Sequence, residues 1–240
     1  PHTGVLASFD GVRAQGPRDG VAMTGLAHLV RKNLRLIVLG VAVVVFLALL
    51  EDVHEGDIMR LDLAAYQLLV VKMRQPWLTP IMEAISELAL PVVLLVMLLV
   101  VEAFAPGRRP GLCAAVNLLC AVGLNVLLKQ VVQRPRPEGF RLIAETGYSF
   151  PSGHSMIAMA FYGLLAWMVW HYEKDRFVKW LCVTGFCLVI IAVGLSRIYL
   201  GVHYASDVIA GFCVSIAWLV VYTRVFAPLF LPERDEGQAD

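Results

Sequence analysis

Along this chain, runs dominated by apolar residues alternate with short segments where charges gather. The first run covers 36–50 without a charged residue, with Arg31, Lys32 and Arg35 before it and Glu51 and Asp52 after it. It is shorter than the ~20 apolar residues that cross a bilayer, but long basic side chains at its start can extend it by reaching to the interface. Further runs at 77–104, 112–128, 152–172, 180–195 and 204–226 predict five more spans. The pattern therefore predicts an all-α polytopic membrane protein with six transmembrane helices.

Two segments break that pattern. Residues 21–31 carry apolar positions at loosely helical spacing behind a Gly-, Pro-, Arg- and Asp-containing lead, which fits an amphipathic helix on the membrane surface or a disordered tail. Residues 51–76 hold eight charges among Leu, Val and Met, including Asp57, Arg60, Asp62 and Lys72, and predict an interfacial helix between spans one and two. The expected organisation is a cytoplasmic lead with the amphipathic segment at 1–32, a membrane domain at 33–228 and a tail at 229–240. Pro91 falls inside the second span, and Glu83 and Glu87 lie in its first half, where an ionised group must face protein or water.

Composition sharpens the class. The chain is 59% hydrophobic and 16% charged, against about 25% charged in soluble proteins. A net charge of +1 gives no reason to expect a nucleic-acid partner, so the expected partner is the lipid bilayer. Cys113, Cys120, Cys182, Cys187 and Cys213 sit in apolar runs without C-x-x-C spacing and read as small packing residues. The sequence starts at Pro1, so trimming is expected, and no signal peptide pattern precedes the first run. With the N-terminus inside, lysines and arginines divide twelve to the cytoplasmic side and eight to the other, which predicts both termini cytoplasmic.

Three clusters then gather at the outer ends of the later spans. Lys129 ends the third span and is followed by Arg134 and Arg136, each stiffened by a proline; Arg134 reads as surface charge. Phe150-Pro151-Ser152-Gly153-His154 opens the fourth span, and a helix start of this kind offers unpaired N–H groups to an anion. Ser196-Arg197 ends the fifth span, and His203 and Asp207 stand four apart, so a helix would let the carboxylate hold one imidazole nitrogen. Cations for the oxygens, an in-line nucleophile and an acid for the leaving group are what phosphoryl transfer needs, and no acid-rich cluster suited to magnesium accompanies them. A metal-independent reaction with no cofactor is expected.

Lys129-x6-Arg136-Pro137, Pro151-Ser152-Gly153-His154 and Ser196-Arg197-x5-His203-x3-Asp207 resemble the three-part signature of the type 2 phosphatidic acid phosphatase superfamily, in order and spacing. In size and layout the chain is similar to small bacterial phosphatidylglycerophosphate and undecaprenyl pyrophosphate phosphatases. The resemblance implies a six-helix core with its site near the extracytoplasmic surface of the plasma membrane, acting on a membrane lipid phosphate. It also implies that His203, held by Asp207, forms a phosphohistidine, with His154 as acid and then base. Lys129, Arg136, Arg197, Ser152 and Gly153 would cradle the phosphoryl oxygens. Glu87 is then either a structural acid or a wall of the substrate entrance, and 57–74 either lines the lipid's path or braces the surface. A carrier that binds lipid phosphates without cleaving them would need the cations but not the histidines. Vanadate-dependent peroxidase chemistry shares the constellation but not the apolar spans.

Overall fold

The computed structural model describes residues 19–55, 59–105, 109–138 and 141–231. The chain divides into two units, 1–37 and 38–240. Helix α1 runs over Asp19–Glu55 without interruption. The amphipathic segment expected at 21–31 is thus no separate element: nothing between it and the apolar run breaks a helix, since Gly and Pro are missing from 26–39. The lead before residue 19, Asp57 and the tail after residue 231 lie outside the described residues.

The main unit is helical wherever it is regular. After α1 come α2 (Arg60–Ala65), a π-helical turn (Tyr66–Lys72), α3 (Thr79–Glu87), α4 (Pro91–Phe104), α5 (Pro110–Val132), α6 (Gly153–Tyr172), α7 (Arg176–Tyr199) and α8 (Ala205–Val225). Among the described residues, five stretches are long and apolar enough to cross a bilayer: Lys32–Glu55, Pro110–Val132, Gly153–Tyr172, Arg176–Tyr199 and Ala205–Leu229. The run expected as a single second span is instead the pair α3 and α4, bent by 52°. Pro91 is the reason, because it has no N–H to continue α3 and sits comfortably only in the first turn of a new helix.

Helix α6 is the centre of the bundle and packs on α5, α7 and α8. Its Ala158, Phe161, Leu164 and Met156 are fully enclosed, whereas Leu36, Val44, Leu95, Leu99, Leu119 and Leu188 on other helices are exposed, as side chains facing lipid must be. Polar side chains tie helix to helix inside this apolar shell. Asn117 on α5 donates to Ala160 O on α6 at 2.7 Å and accepts from Trp218 Nε1 on α8 at 2.9 Å. Tyr222 on α8 donates to Cys113 O at 2.7 Å, and Ser215 donates to Met156 O at 2.9 Å. With lipid as solvent, apolar contact alone does not favour one helix pairing over another, so such bonds fix which helices meet. Replacing Asn117 by Leu removes two of them and strands their partners. We expect about 1–2 kcal/mol of lost stability, read as a lower unfolding temperature of the detergent-solubilised chain.

Candidate active site

The end of the bundle where α5 and α7 finish and α6 and α8 begin is built by interruptions in the helices. Gln133 takes a left-handed conformation at φ 54° and closes α5 with its N–H on Lys129 O at 3.0 Å. Pro135 and Pro137 then prevent helix from resuming, and the chain carries Arg134 and Arg136 inward. Each is only 8% exposed. Gly201, at φ 73°, makes the turn between α7 and α8 that presents His203.

A main-chain bond holds the two helix starts together, and a side-chain bond steadies the first turn of α6. Ser152 N–H donates to Asp207 O at 3.0 Å, and Ser155 Oγ donates to Ser152 Oγ at 3.0 Å. The first helical N–H groups of α6, from Gly153 on, have no carbonyl a turn earlier in the helix. Gly153 is required by its neighbour, since a Cβ there would stand 3.0 Å from Asn125 Oδ1. Asn125 in turn donates to Pro151 O at 3.2 Å, so α5 braces the start of α6.

His203 is 4% exposed and has two distinct faces. Its Nε2 lies 3.2 Å from Arg136 Nη1. A guanidinium only donates, so Nε2 is the acceptor and carries the lone pair. Its Nδ1 therefore bears the proton and lies 3.4 Å from Asp207 Oδ2, an ion-pair distance that falls short of an aligned hydrogen bond. Burial pushes the His203 imidazole down to about 4, against the opposing pull of Asp207. The ring is neutral at ordinary pH.

The cations converge around it. Arg197, 1% exposed, donates from Nη1 to Ser86 Oγ at 2.6 Å and from Nη2 to Glu145, and its buried Nε has no partner. Arg136 spends donors on Val202 O at 3.0 Å, Thr146 O at 3.0 Å and Gly147 O at 3.1 Å, and its Nη2 stands 3.5 Å from Glu145 Oε2. Lys129 donates to Tyr148 O. His154, half-buried at the start of α6, is near enough to Arg197, Glu145, His203 and Arg136 to feel their charges, and Lys129 feels Arg136, Asp207, Glu145 and Arg197. Each residue expected from the three clusters is thus found at this end of the bundle.

Three further residues were not expected there. Arg134, read as surface charge, is buried: its Nη1 donates to Asp207 Oδ1 at 2.7 Å and Ser206 Oγ at 2.8 Å, and its Nη2 to Asp62 at 3.1 Å. Sequence spacing cannot reveal two acids 72 and 73 positions away. Asp62 was one charge among many in an interfacial segment, yet it is 3% exposed. Glu145 bridges Arg136 and Arg197 from the connection before α6 and lies in none of the three clusters. Burial alone would raise its carboxyl, but the Arg197 and Arg136 guanidiniums outweigh that and hold it below the usual carboxylate range. Glu87 is exposed and is not among the residues lining the cavity at His203.

That cavity, of about 520 Å³, reaches His203 and Arg136 past Asp62, Tyr66 and Tyr204. It shares Ile198 and Ala205 with an apolar groove of about 440 Å³ that runs between α2 with its π-helical turn and α7–α8, past Leu61, Leu68, Leu195 and Phe212. The chamber at His203 therefore continues into a lipid-like trough.

A multi-pass helical bundle with buried guanidiniums and imidazoles gathered at one end is a membrane protein equipped to hold an anion. The family model described as the PAP2 superfamily matches residues 110–230. Phosphatidylglycerophosphatase B of Bacillus subtilis is 33% identical over 178 residues, which cover 71% of this chain and 86% of that protein. An undecaprenyl-diphosphatase of Sulfolobus acidocaldarius is 29% identical over 134 residues, covering 52% and 61%. The crystal structure of a transmembrane PAP2-type phosphatidylglycerolphosphate phosphatase from Bacillus subtilis superposes with a TM-score of 0.71 at 29% identity, over 78% of this chain and 94% of that one. The chain belongs to the PAP2 superfamily.

Glu145 occupies the gap between Arg136 and Arg197, so an anion held by those two arginines would compete with it. Glu145→Gln should make inorganic phosphate a tighter competitive inhibitor, by about tenfold for one charge removed at contact distance. An inhibition constant equal to that of the unchanged protein would show that Glu145 does not contest the anion's place.

Proposed function

We propose that this lipid phosphatase cleaves a phosphomonoester or pyrophosphate of a membrane lipid through a phosphohistidine, without a metal ion. Phosphatidylglycerophosphate, undecaprenyl pyrophosphate and phosphatidic acid are the candidate substrates. His203 Nε2 attacks phosphorus; the N–P bond forms as the P–O bond to the lipid breaks, and His154 gives its proton to the departing oxygen. The ring then holds phosphorus on Nε2 and a proton on Nδ1, and its positive charge faces Asp207. A water that yields its proton to His154 next attacks phosphorus, releasing phosphate and the free imidazole. Arg197, with its unpaired Nε, Arg136, Lys129, Ser152 Oγ and the N–H groups from Gly153 on gather the three outer oxygens.

The orientation of His203 supports this reading above all: its lone pair is turned to the cations and its N–H to the acid. A carrier for phospholipids or isoprenoid phosphates needs charge complementarity but no imidazole held in one tautomer. We also read α3 and α4 as one bent span, which makes six, and place both termini in the cytoplasm with the site on the extracytoplasmic side. The lipid chain lies in the groove beside α2 while its phosphate sits at His203. The domain limits at 33 and 228 follow from the same reading.

His203→Ala should abolish turnover of phosphatidylglycerophosphate, phosphatidic acid, diacylglycerol pyrophosphate and undecaprenyl pyrophosphate, and His154→Ala should slow it by about 10²–10⁴. Acid quench should trap labelled phosphate on the unchanged chain and none on the His203 variant; near-normal turnover in His203→Ala would sink the assignment. The pH profile offers a separate check. Protonated His203 has no lone pair to attack with, so activity is lost as pH falls through its pKa. Because burial holds that pKa near about 4, the acid limb of kcat/KM belonging to His203 should lie there rather than near 6.5.

A further inference from the structure

Helix α2 contributes nothing to the three sequence clusters, yet one of its side chains is bound into the site. Asp62 Oδ1 accepts Ser206 N–H at 2.8 Å, and Oδ2 accepts Ser206 Oγ at 2.8 Å and Arg134 Nη2 at 3.1 Å. Arg134 turns its other terminal nitrogen to Asp207 Oδ1 at 2.7 Å, and its plane lies over the Tyr204 ring at 4.0 Å. Asp207 Oδ2 takes the Tyr204 N–H at 2.9 Å and faces His203 Nδ1. The four side chains form one buried file: Asp62, Arg134, Asp207, His203.

The charges along that file explain why the outermost acid is there. Arg134 alone would neutralise Asp207. A neutralised carboxylate still orients the imidazole, but it does little for the positive charge that the ring acquires when Nε2 bonds to phosphorus and Nδ1 keeps its proton. Asp62 gives Arg134 a second anion, so the trio of Asp62, Arg134 and Asp207 carries a net −1 toward His203. Ser206 adds rigidity, since its Oγ accepts from Arg134 and donates to Asp62.

We propose that Asp62 is a positioning residue for the catalytic carboxylate: it fixes Asp207 through Arg134 and Ser206 and restores the negative charge that stabilises the phosphorylated His203. This rests on the phosphohistidine reading above. Both carboxylate oxygens of Asp62 are taken up by Ser206 and Arg134, so its effect falls on the covalent step and not on binding. The same short helix lines the groove with Leu61, Ala64 and Ala65, so the element that receives the lipid chain also tunes the nucleophile.

The test uses the full chain in detergent with the fastest-cleaved of the four lipids named above. Asp62→Asn should lower kcat by about 10², leave KM within about twofold and slow formation of the trapped phosphoprotein in proportion. The double variant Asp62→Asn with Arg134→Gln again has a net −1, and it should recover at least about tenfold over Asp62→Asn alone. A purely architectural Asp62 predicts the reverse, a double variant slower than either single one, and that result overturns the proposal, as does unchanged kcat in Asp62→Asn. If Asp62→Asn does not accumulate folded, the double variant decides alone: turnover within about tenfold of the unchanged chain upholds the proposal, and any larger loss in a folded protein refutes it. Turnover surviving in His203→Ala would instead remove the phosphohistidine itself, an outcome distinct from any of these.

Discussion

The ion pairs around Arg134 are the constraint on which the catalytic end of the bundle depends. A guanidinium cannot shed its charge, and at 8% exposure it has little water, so its acids must come from the fold. Asp62 and Asp207 supply them from different elements, one before the first long loop and one at the start of the last helix. Arg136 and Arg197 meet the same demand through Glu145. The buried arginines of this end are thus largely matched by acids from the fold. Glu145 reaches them from a connection between helices, whereas Asp62 and Asp207 are held by main-chain N–H groups.

How far this was legible before the fold was known depends on the range of each interaction. His203 and Asp207 are neighbours in sequence, and Pro-Ser-Gly-His ahead of an apolar run has the composition of a helix start, so both could be read directly. The later spans announced themselves by composition, because a lipid-facing helix must be apolar nearly all round. The bend at Pro91 was visible as a residue but not as an outcome, since proline can sit in the middle of a kinked span or begin a new helix. Arg134 and Asp62 were misjudged for a different reason. A charged side chain in a polar loop resembles any other until the tertiary fold brings its counter-ion near, and the partners lie more than seventy residues apart.

The apolar body of the protein and its polar end are held by different forces. In the body, single bonds such as Asn117 to Ala160 O choose which helices meet, and close packing around α6 follows. At the end, charges and main-chain donors do the choosing. Gly153 belongs to both regimes: a Cβ there would stand 3.0 Å from Asn125 Oδ1, so its absence leaves room for the α5 amide that braces the start of α6.

The bond from Ser152 N–H to Asp207 O joins the two reactive helix starts without using a side chain. Side-chain replacement elsewhere leaves such a seam intact, including along the trough formed by Leu61, Leu68, Leu195 and Phe212. Its walls can therefore change in width and length without parting the two helix starts.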